Sequence, residues 1–380
     1  MAMITADIIV IGAGIAGASV ASILSKSKEV IILEMEDQPG YHTTGRSAAL
    51  FTVNYGSDAV QALTKASKNF FMQPPNGFSQ VPLLTERGII HLARVDQLKQ
   101  LEIFEKSNST LKRLSQDDLV VLIPYLNTDH IIAGLSEPDA SDIDVAALHQ
   151  GYLKQAAHNG AKLFCNQEVK SLRYENKMWF LESGKESYQA PIVVNAAGAW
   201  ADEIAMLAGI KPVGLQALKR TAAVVKFDKP INPDMCFLND IDENWYCKPE
   251  GSNLFLSPED EIPSPACDAW ADDMDVAMAI DQIANILNIE PIKVEASWAG
   301  LRVFSPDRDF VIGYDSAENG FFWLAGQGGY GIQTAPAVAS IASSLILGEN
   351  ISIELKKIGV SVSIFSPARF SKSAYPHLQV

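Results

Sequence analysis

A chain of 380 residues that is 48% hydrophobic can bury a core large enough for two domains, which excludes intrinsic disorder. Thirty basic against forty-five acidic residues leave a formal net charge of -15, and a surface of that sign repels nucleic acid and anionic lipid. Cys165, Cys236, Cys247 and Cys267 form no C-x-x-C pair, so they suggest neither a disulfide framework nor a zinc site and read as reduced thiols.

The first apolar run, residues 8–11, follows Asp7 directly with no basic leader or cleavage site before it, which argues against a signal peptide. No stretch reaches the roughly 18 apolar residues of a spanning helix. The nearest, 335–347, carries three serines. The expectation is a soluble, cytoplasmic protein without an integral membrane segment.

The N-terminus reads as one strand-helix-strand unit: strand 7–11, glycine turn 12–17, helix 18–27 and strand 30–33, closed by Glu34. Gly12-x-Gly14-x-x-Gly17 with an acid seventeen positions after the last glycine is the dinucleotide fingerprint in its strand-turn-helix setting. Gly12 permits the tight turn, Gly14 lets backbone approach a pyrophosphate, and Gly17 allows close helix-strand packing. Glu34 is placed to accept from adenosine ribose hydroxyls. A nicotinamide enzyme would continue into another strand-helix repeat, whereas this chain enters the polar loop Gly40-Tyr41-His42-Thr43-Thr44-Gly45-Arg46-Ser47, which favours FAD. The hydroxyls of Thr43, Thr44 and Ser47 and the charge of Arg46 would then face phosphate. The same residues also suit an ordinary surface loop.

Further on, 56–138 mixes helical stretches (58–71, 95–106, 115–122) with a strand at 88–92. An apolar strand at 192–194 runs into Asn195-Ala196-Ala197-Gly198-Ala199-Trp200 and a helix at 202–207, small residues that let backbone pass close to a cofactor. Block 216–302 holds strands at 221–227 and 254–257, a Pro-rich loop at 258–265 and a helix at 273–287. The strand 320–325 leads to Gly326-Gln327-Gly328-Gly329-Tyr330-Gly331 and a long helix to about 347. That loop puts a helix dipole and free N-H groups where a reduced flavin accumulates negative charge. The fold class expected is α/β: a Rossmann-like FAD-binding domain from 1–55, 139–215 and 303–380, discontinuous, with an α+β substrate domain of mostly antiparallel sheet from 56–138 and 216–302.

The N-terminal fingerprint, Gly45-Arg46-Ser47-Ala48-Ala49, Val194-Asn195-Ala196-Ala197-Gly198-Ala199-Trp200, Trp298-Ala299-Gly300-Leu301-Arg302 and Gln327-Gly328-Gly329-Tyr330-Gly331-Ile332-Gln333 stand in one fixed order from about 5 to 350. Together they resemble the D-amino-acid oxidase superfamily and, within it, the bacterial D-arginine dehydrogenases. The resemblance implies non-covalent FAD and a substrate held between flavin and a second sheet. It puts carboxylate-binding arginines at Arg220 and Arg302 and active-site tyrosines at Tyr55 and Tyr246. Carbonyls near Gly300 and in the Gly328, Gly329, Tyr330, Gly331, Ile332 and Gln333 segment would hold the amine, and Val169 would face adenine. A guanidinium fork suits a carboxylate through two parallel bonds. Without the resemblance, Arg220 reads as an ion-pair partner and either tyrosine as packing.

Two positions depart from the relative that handles basic substrates, where a histidine and an acid stand in place of Leu50 and Ile89. No carboxylate is then left to pair a guanidinium, and the expectation is an uncharged, apolar substrate side chain. A preference for arginine would instead implicate another acid such as Glu86. The activity implied is transfer of a hydride from the alpha carbon of a D-amino acid to flavin N5, giving an imino acid, then a 2-oxo acid and ammonia. Two rivals remain: a flavoenzyme acting on N-methyl amino acids or 2-hydroxy acids, and a non-catalytic flavin-fold binding protein. The electron acceptor, whether oxygen, a quinone or an electron-transfer protein, stays open. His42, His91, His130, His149, His158 and His377 are scattered, so no metal is expected. Covalent flavin through cysteine is not expected either, because no cysteine follows Cys267.

Overall fold

A computed structural model describes residues 3–370 apart from 109, 185, 318 and 319; His377 and the last ten positions assigned to the FAD domain lie outside the described residues. The fold is α/β. Its first sheet runs in the order Lys162–Phe164, Val30–Leu33, Ile8–Ile11, Ile192–Asn195, Phe321–Ala325, Val311–Tyr314, parallel throughout except for the last pair. The central strands are almost unbroken runs of Val, Ile, Leu and Phe because both faces are covered. Ile8, Val10 and Ile32 face Val20, Leu24, Val338 and Ile341 of the helices Ile15–Leu24 and Gly331–Leu347. Ile9, Ile11 and Ile31, alternating with them, face Trp179, Leu181 and Tyr188 of a small sheet built from Met3–Thr5, Glu186–Ala190, Met178–Ser183 and Val169–Glu175.

The second sheet is larger and mostly antiparallel. It runs Ile262–Ser264, Gln216–Phe227, Asn253–Ser257, Tyr246–Glu250, Phe237–Asp240, Ile89–Ala93, Ala133–Glu137, Lys112–Ser115, and Pro291–Phe304 also pairs with Gln216–Phe227. Period-two alternation divides its faces. Ile90, Ala223, Val225, Leu238 and Leu256 pack on Val276, Ala279 and Ile283 of the helix Asp273–Leu287. Ile89, Ala222, Phe237, Tyr246 and Phe255 form the opposite face.

Three local expectations change. The first helix starts at Ile15 rather than at 18 and takes Gly17 into its first turn. The helix Asp58–Met72, assigned by sequence to the substrate domain, buries Val60 and Leu63 among Val20, Val338 and Ile341, so it belongs to the core of the parallel sheet. Within the Pro-rich 258–265 loop, Ile262–Ser264 is a short strand pairing with Lys219, Leu218 and Ala217. No helix among the described residues is long and apolar enough to cross a membrane.

Candidate active site

A cleft of about 530 Å³ joins the N-terminal glycine turn to the late glycine loop, lined by both sheets. At the first end the strand Ile8–Ile11 must turn at once into a helix. Gly12 does so at φ +98°, where an added Cβ would stand 2.5 Å from the Ala196 carbonyl oxygen. Gly17 does not line the cleft: its Cβ would meet the Gly12 carbonyl oxygen at 1.9 Å, so its role is helix-strand contact. Glu34 is buried at the end of its strand. Its carboxylate accepts from the Ala13 N-H at 2.8 Å and the Glu36 N-H at 3.0 Å, which fixes it at the rim of the turn. His149, which sequence reasoning left unassigned, contacts the Ala13 carbonyl oxygen through Nε2 at 2.8 Å. Burial lowers its pKa, so the ring is neutral and donates from that nitrogen.

The 40–47 loop borders the cleft and is fixed by hydrogen bonds within the protein. Thr44 accepts from the Ile15 N-H at 3.0 Å, capping the helix, and Thr43 donates to the Leu301 carbonyl at 2.7 Å. Ser47 lines the cleft and accepts from the Ala49 N-H at 3.1 Å. Gly45 stays outside the lining and closes the turn onto Gly40. The Arg46 side chain lines the cleft, and its guanidinium already has partners within the protein. It donates to the Ala299 carbonyl at 2.9 Å, the Ala269 carbonyl at 2.8 Å and the Asp268 carboxylate, so its charge ties the loop to the second sheet. Gly14, Val169, Gly198, Gly328, Gly329, Gly331, Ile332 and Gln333 line the cleft as well. Tyr330 does not; its ring packs against Tyr55 and Phe304, supporting the wall from behind.

At the other end Tyr55, Arg220, Tyr246 and Arg302 converge. Arg302 donates from Nη1 toward the Tyr55 hydroxyl at 3.4 Å and from Nη2 to Glu261 at 2.7 Å, while its Nε is buried without a partner among the described residues. Gly329 packs close beside it: a Cβ there would lie 3.1 Å from Nη1, so a larger residue would have to push the guanidinium aside. Burial pushes the Tyr55 phenol well above its usual pKa, so it remains protonated and able to donate. Arg220 donates to the Asp260 carbonyl at 3.0 Å and to Glu259 at 3.1 Å, and its guanidinium stands 6.0 Å from the centre of the Tyr246 ring. Glu259 stands at φ +52° with its side chain buried, and that burial, opposed by Arg220, pushes its carboxyl up to about 7. Tyr246 stacks between Phe237 and Phe255, at ring separations of 5.1 and 6.0 Å.

Leu50 and Ile89 line the same cavity within the apolar cluster of Phe237, Tyr246 and Phe255. The expectation that no carboxylate remains there is overturned, because Glu137, Glu243 and Glu259 all line the cleft. Glu86 is exposed and does not. Sequence reasoning passed over these acids. The one local signal was the run Glu259-Asp260-Glu261 held between Pro258 and Pro263 in a segment read as a Pro-rich loop.

The family model for FAD-dependent oxidoreductases of the DAO type matches residues 7–345. The chain belongs to the DAO family. Human mitochondrial dimethylglycine dehydrogenase is 25% identical over 370 residues, covering 90% of this chain but 42% of that protein, so the chain spans about two fifths of this relative. Glycine oxidase of Bacillus subtilis is 21% identical, with 91% of this chain and 94% of that one covered. Among solved structures, glycine oxidase from Geobacillus kaustophilus superposes with a TM-score of 0.82 at 20% identity over 97% of this chain and 99% of that one. L-proline dehydrogenase from P. horikoshii gives 0.81 at 23% identity over 97% and 99%. These likenesses show the DAO fold, and with it FAD as cofactor.

The residues present fit FAD. The fixed carboxylate of Glu34, the helix opening at Gly14 and Ile15, and the late glycine loop border one continuous cleft, which is what a long dinucleotide with a flavin at one end needs.

Proposed function

We propose that this DAO-family chain carries out FAD-dependent oxidative deamination of a small D-amino acid, releasing a 2-oxo acid and ammonia. The observation that carries the reading is the meeting of Arg302, Tyr55 and the Gly329 loop at the end of the cleft opposite the dinucleotide turn. The flavin, when bound non-covalently there, supplies the two-electron acceptor. The chain supplies everything else. Arg302 Nη1 and the Tyr55 hydroxyl hold the substrate carboxylate, Arg220 and Tyr246 flank it, and the backbone around Gly300 and Gly328 takes the amine, so that the alpha carbon is oriented and kept from water. Leu50, Ile89 and Phe237 provide an apolar wall for the first carbons of the side chain, which supports an uncharged substrate. D configuration rests on the resemblance of the motif order. Four free cysteines support a reducing, cytoplasmic location.

Anaerobic mixing of the holoprotein with D- and L-amino-acid panels, followed at the flavin absorbance, tests this. Bleaching by D-amino acids with ammonia release is expected; bleaching by L-forms alone would reject the stereochemistry. Release of formaldehyde would favour the second reading, an N-methyl amino acid, which the dimethylglycine dehydrogenase relative suggests. A 2-hydroxy acid would release neither. A colourless purified protein would support a non-catalytic binding role.

A further inference from the structure

The apolar wall gives way to a polar group of side chains one step further across the second sheet. In the strand register Ile89 lies between Phe237 and Glu137, and His91, next on the same face, pairs with Asn239. Glu137, His91, Asn239, Thr52 and Asn54 all line the cleft.

Their hydrogen bonding is incomplete in a patterned way. Glu137 is 3% exposed; one carboxylate oxygen accepts from the Thr52 hydroxyl at 2.6 Å, and Oε2 has no hydrogen-bond partner among the described residues, its nearest contact of opposite character being His91. His91 Nε2 and Asn54 Nδ2 are buried without partners as well. His91 Nε2 is 3.7 Å from Glu137 Oε2, beyond hydrogen-bond reach. Asn239 Nδ2 approaches His91 Nδ1 at 3.4 Å, which makes Nδ1 the acceptor and leaves the proton on Nε2. The cluster therefore offers two unmet donors and one unmet acceptor. Native interiors rarely leave such groups unsatisfied.

Resting on the amino-acid reading above, we propose that this cluster is a subsite for the tip of the substrate side chain, and that the tip is a primary carboxamide or a ureido group. Its N-H donates to Glu137 Oε2, and its carbonyl oxygen accepts from His91 Nε2 and Asn54 Nδ2. A cationic tip satisfies Glu137 alone and faces two donors with positive charge. An apolar tip satisfies none of the three. The side chain reaches this point past Leu50 and Ile89, so its intervening carbons meet the apolar wall.

The test is anaerobic titration of the holoprotein with D- and L-forms of asparagine, glutamine and citrulline, of leucine, norleucine and methionine, and of lysine and arginine. Flavin absorbance reports Kd and reduction rate. The expected result is a ratio of reduction rate to Kd for one amide or ureido substrate roughly tenfold or more above that of its apolar counterpart. That ratio should collapse toward unity in Glu137→Leu and in His91→Phe. Glu137→Gln, which keeps the side-chain shape, serves if either variant loses flavin or fails to fold, and it should lower the same ratio. A wild-type preference for apolar or for cationic side chains, or a ratio that Glu137→Gln leaves unchanged, overturns the subsite while the amino-acid reading stands. Absence of bleaching by every amino acid overturns that reading and the subsite with it.

Discussion

Arg220 and Arg302 reach the cleft already paired, to Glu259 and Glu261, acids 39 and 41 positions away in sequence. On the proposed function, a substrate carboxylate held by Arg302 and flanked by Arg220 lies beside the resident Glu259 carboxylate and binds more readily when that group is neutral. Glu259, pushed up to about 7 mainly by burial, with Arg220 opposing, Glu243 raising it further and Arg302 opposing more weakly, is the group that decides this. It is neutral below that value and ionised above it. Apparent affinity scales with the fraction in the competent state, so Kd for a simple aliphatic carboxylate should rise roughly tenfold between about pH 6 and about pH 8. Binding weakens as pH rises. Glu259→Gln should flatten the profile, measured by perturbation of the flavin absorbance; a slope retained in that variant would assign the titration elsewhere. Arg302→Lys removes the fork that spans Tyr55 and Glu261, and charged hydrogen bonds contribute about 1.5–3 kcal/mol each. Carboxylate Kd should then rise by at least about tenfold, with flavin content preserved. The arginines and tyrosines were legible through the motif order. Their acidic partners were not, because nothing local in Glu259-Asp260-Glu261 says which cation the chain will bring to it.

The strand-turn-helix at the N-terminus was readable because its requirements are local: four apolar residues, three spaced glycines and an acid at the end of the next strand. Its tolerance should be correspondingly low. Gly17→Ala places a methyl group 1.9 Å from the Gly12 carbonyl oxygen, and backbone displacement of that kind costs about 1–3 kcal/mol. Denaturant unfolding should show that loss together with reduced flavin content. Gly329→Ala differs in kind, since its methyl group meets Arg302 Nη1 at 3.1 Å. It should weaken carboxylate binding while flavin content and stability change little, a pairing that absorbance and thermal unfolding measure separately. The helix Asp58–Met72 shows the limit of local reading. Its amphipathic period announced a helix but not which sheet would receive Val60 and Leu63.

At the scale of the molecule, two sheets with separate cores face one cleft, and residues of both line it. Binding to the folded state alone stabilises by mass action, roughly 2.7 kcal/mol at a free FAD concentration about 100 times Kd. The apoprotein should be less stable to unfolding than the holoprotein by that increment and melt at a lower temperature, with flavin fluorescence and far-UV circular dichroism changing together; a flavin signal released well before the backbone transition would show the cleft opening on its own. Composition, strand and helix periods and glycine spacing determined the α/β class and the dinucleotide turn, because each is encoded within a few consecutive turns or strands. Sheet register and long-range packing decided the rest: that Arg46 binds Asp268 and two carbonyls, that Tyr330 stands behind the wall, and that Glu137 lies beside Ile89. These pairings join residues far apart along the chain, and their energies exist only once the strands between them have taken their places.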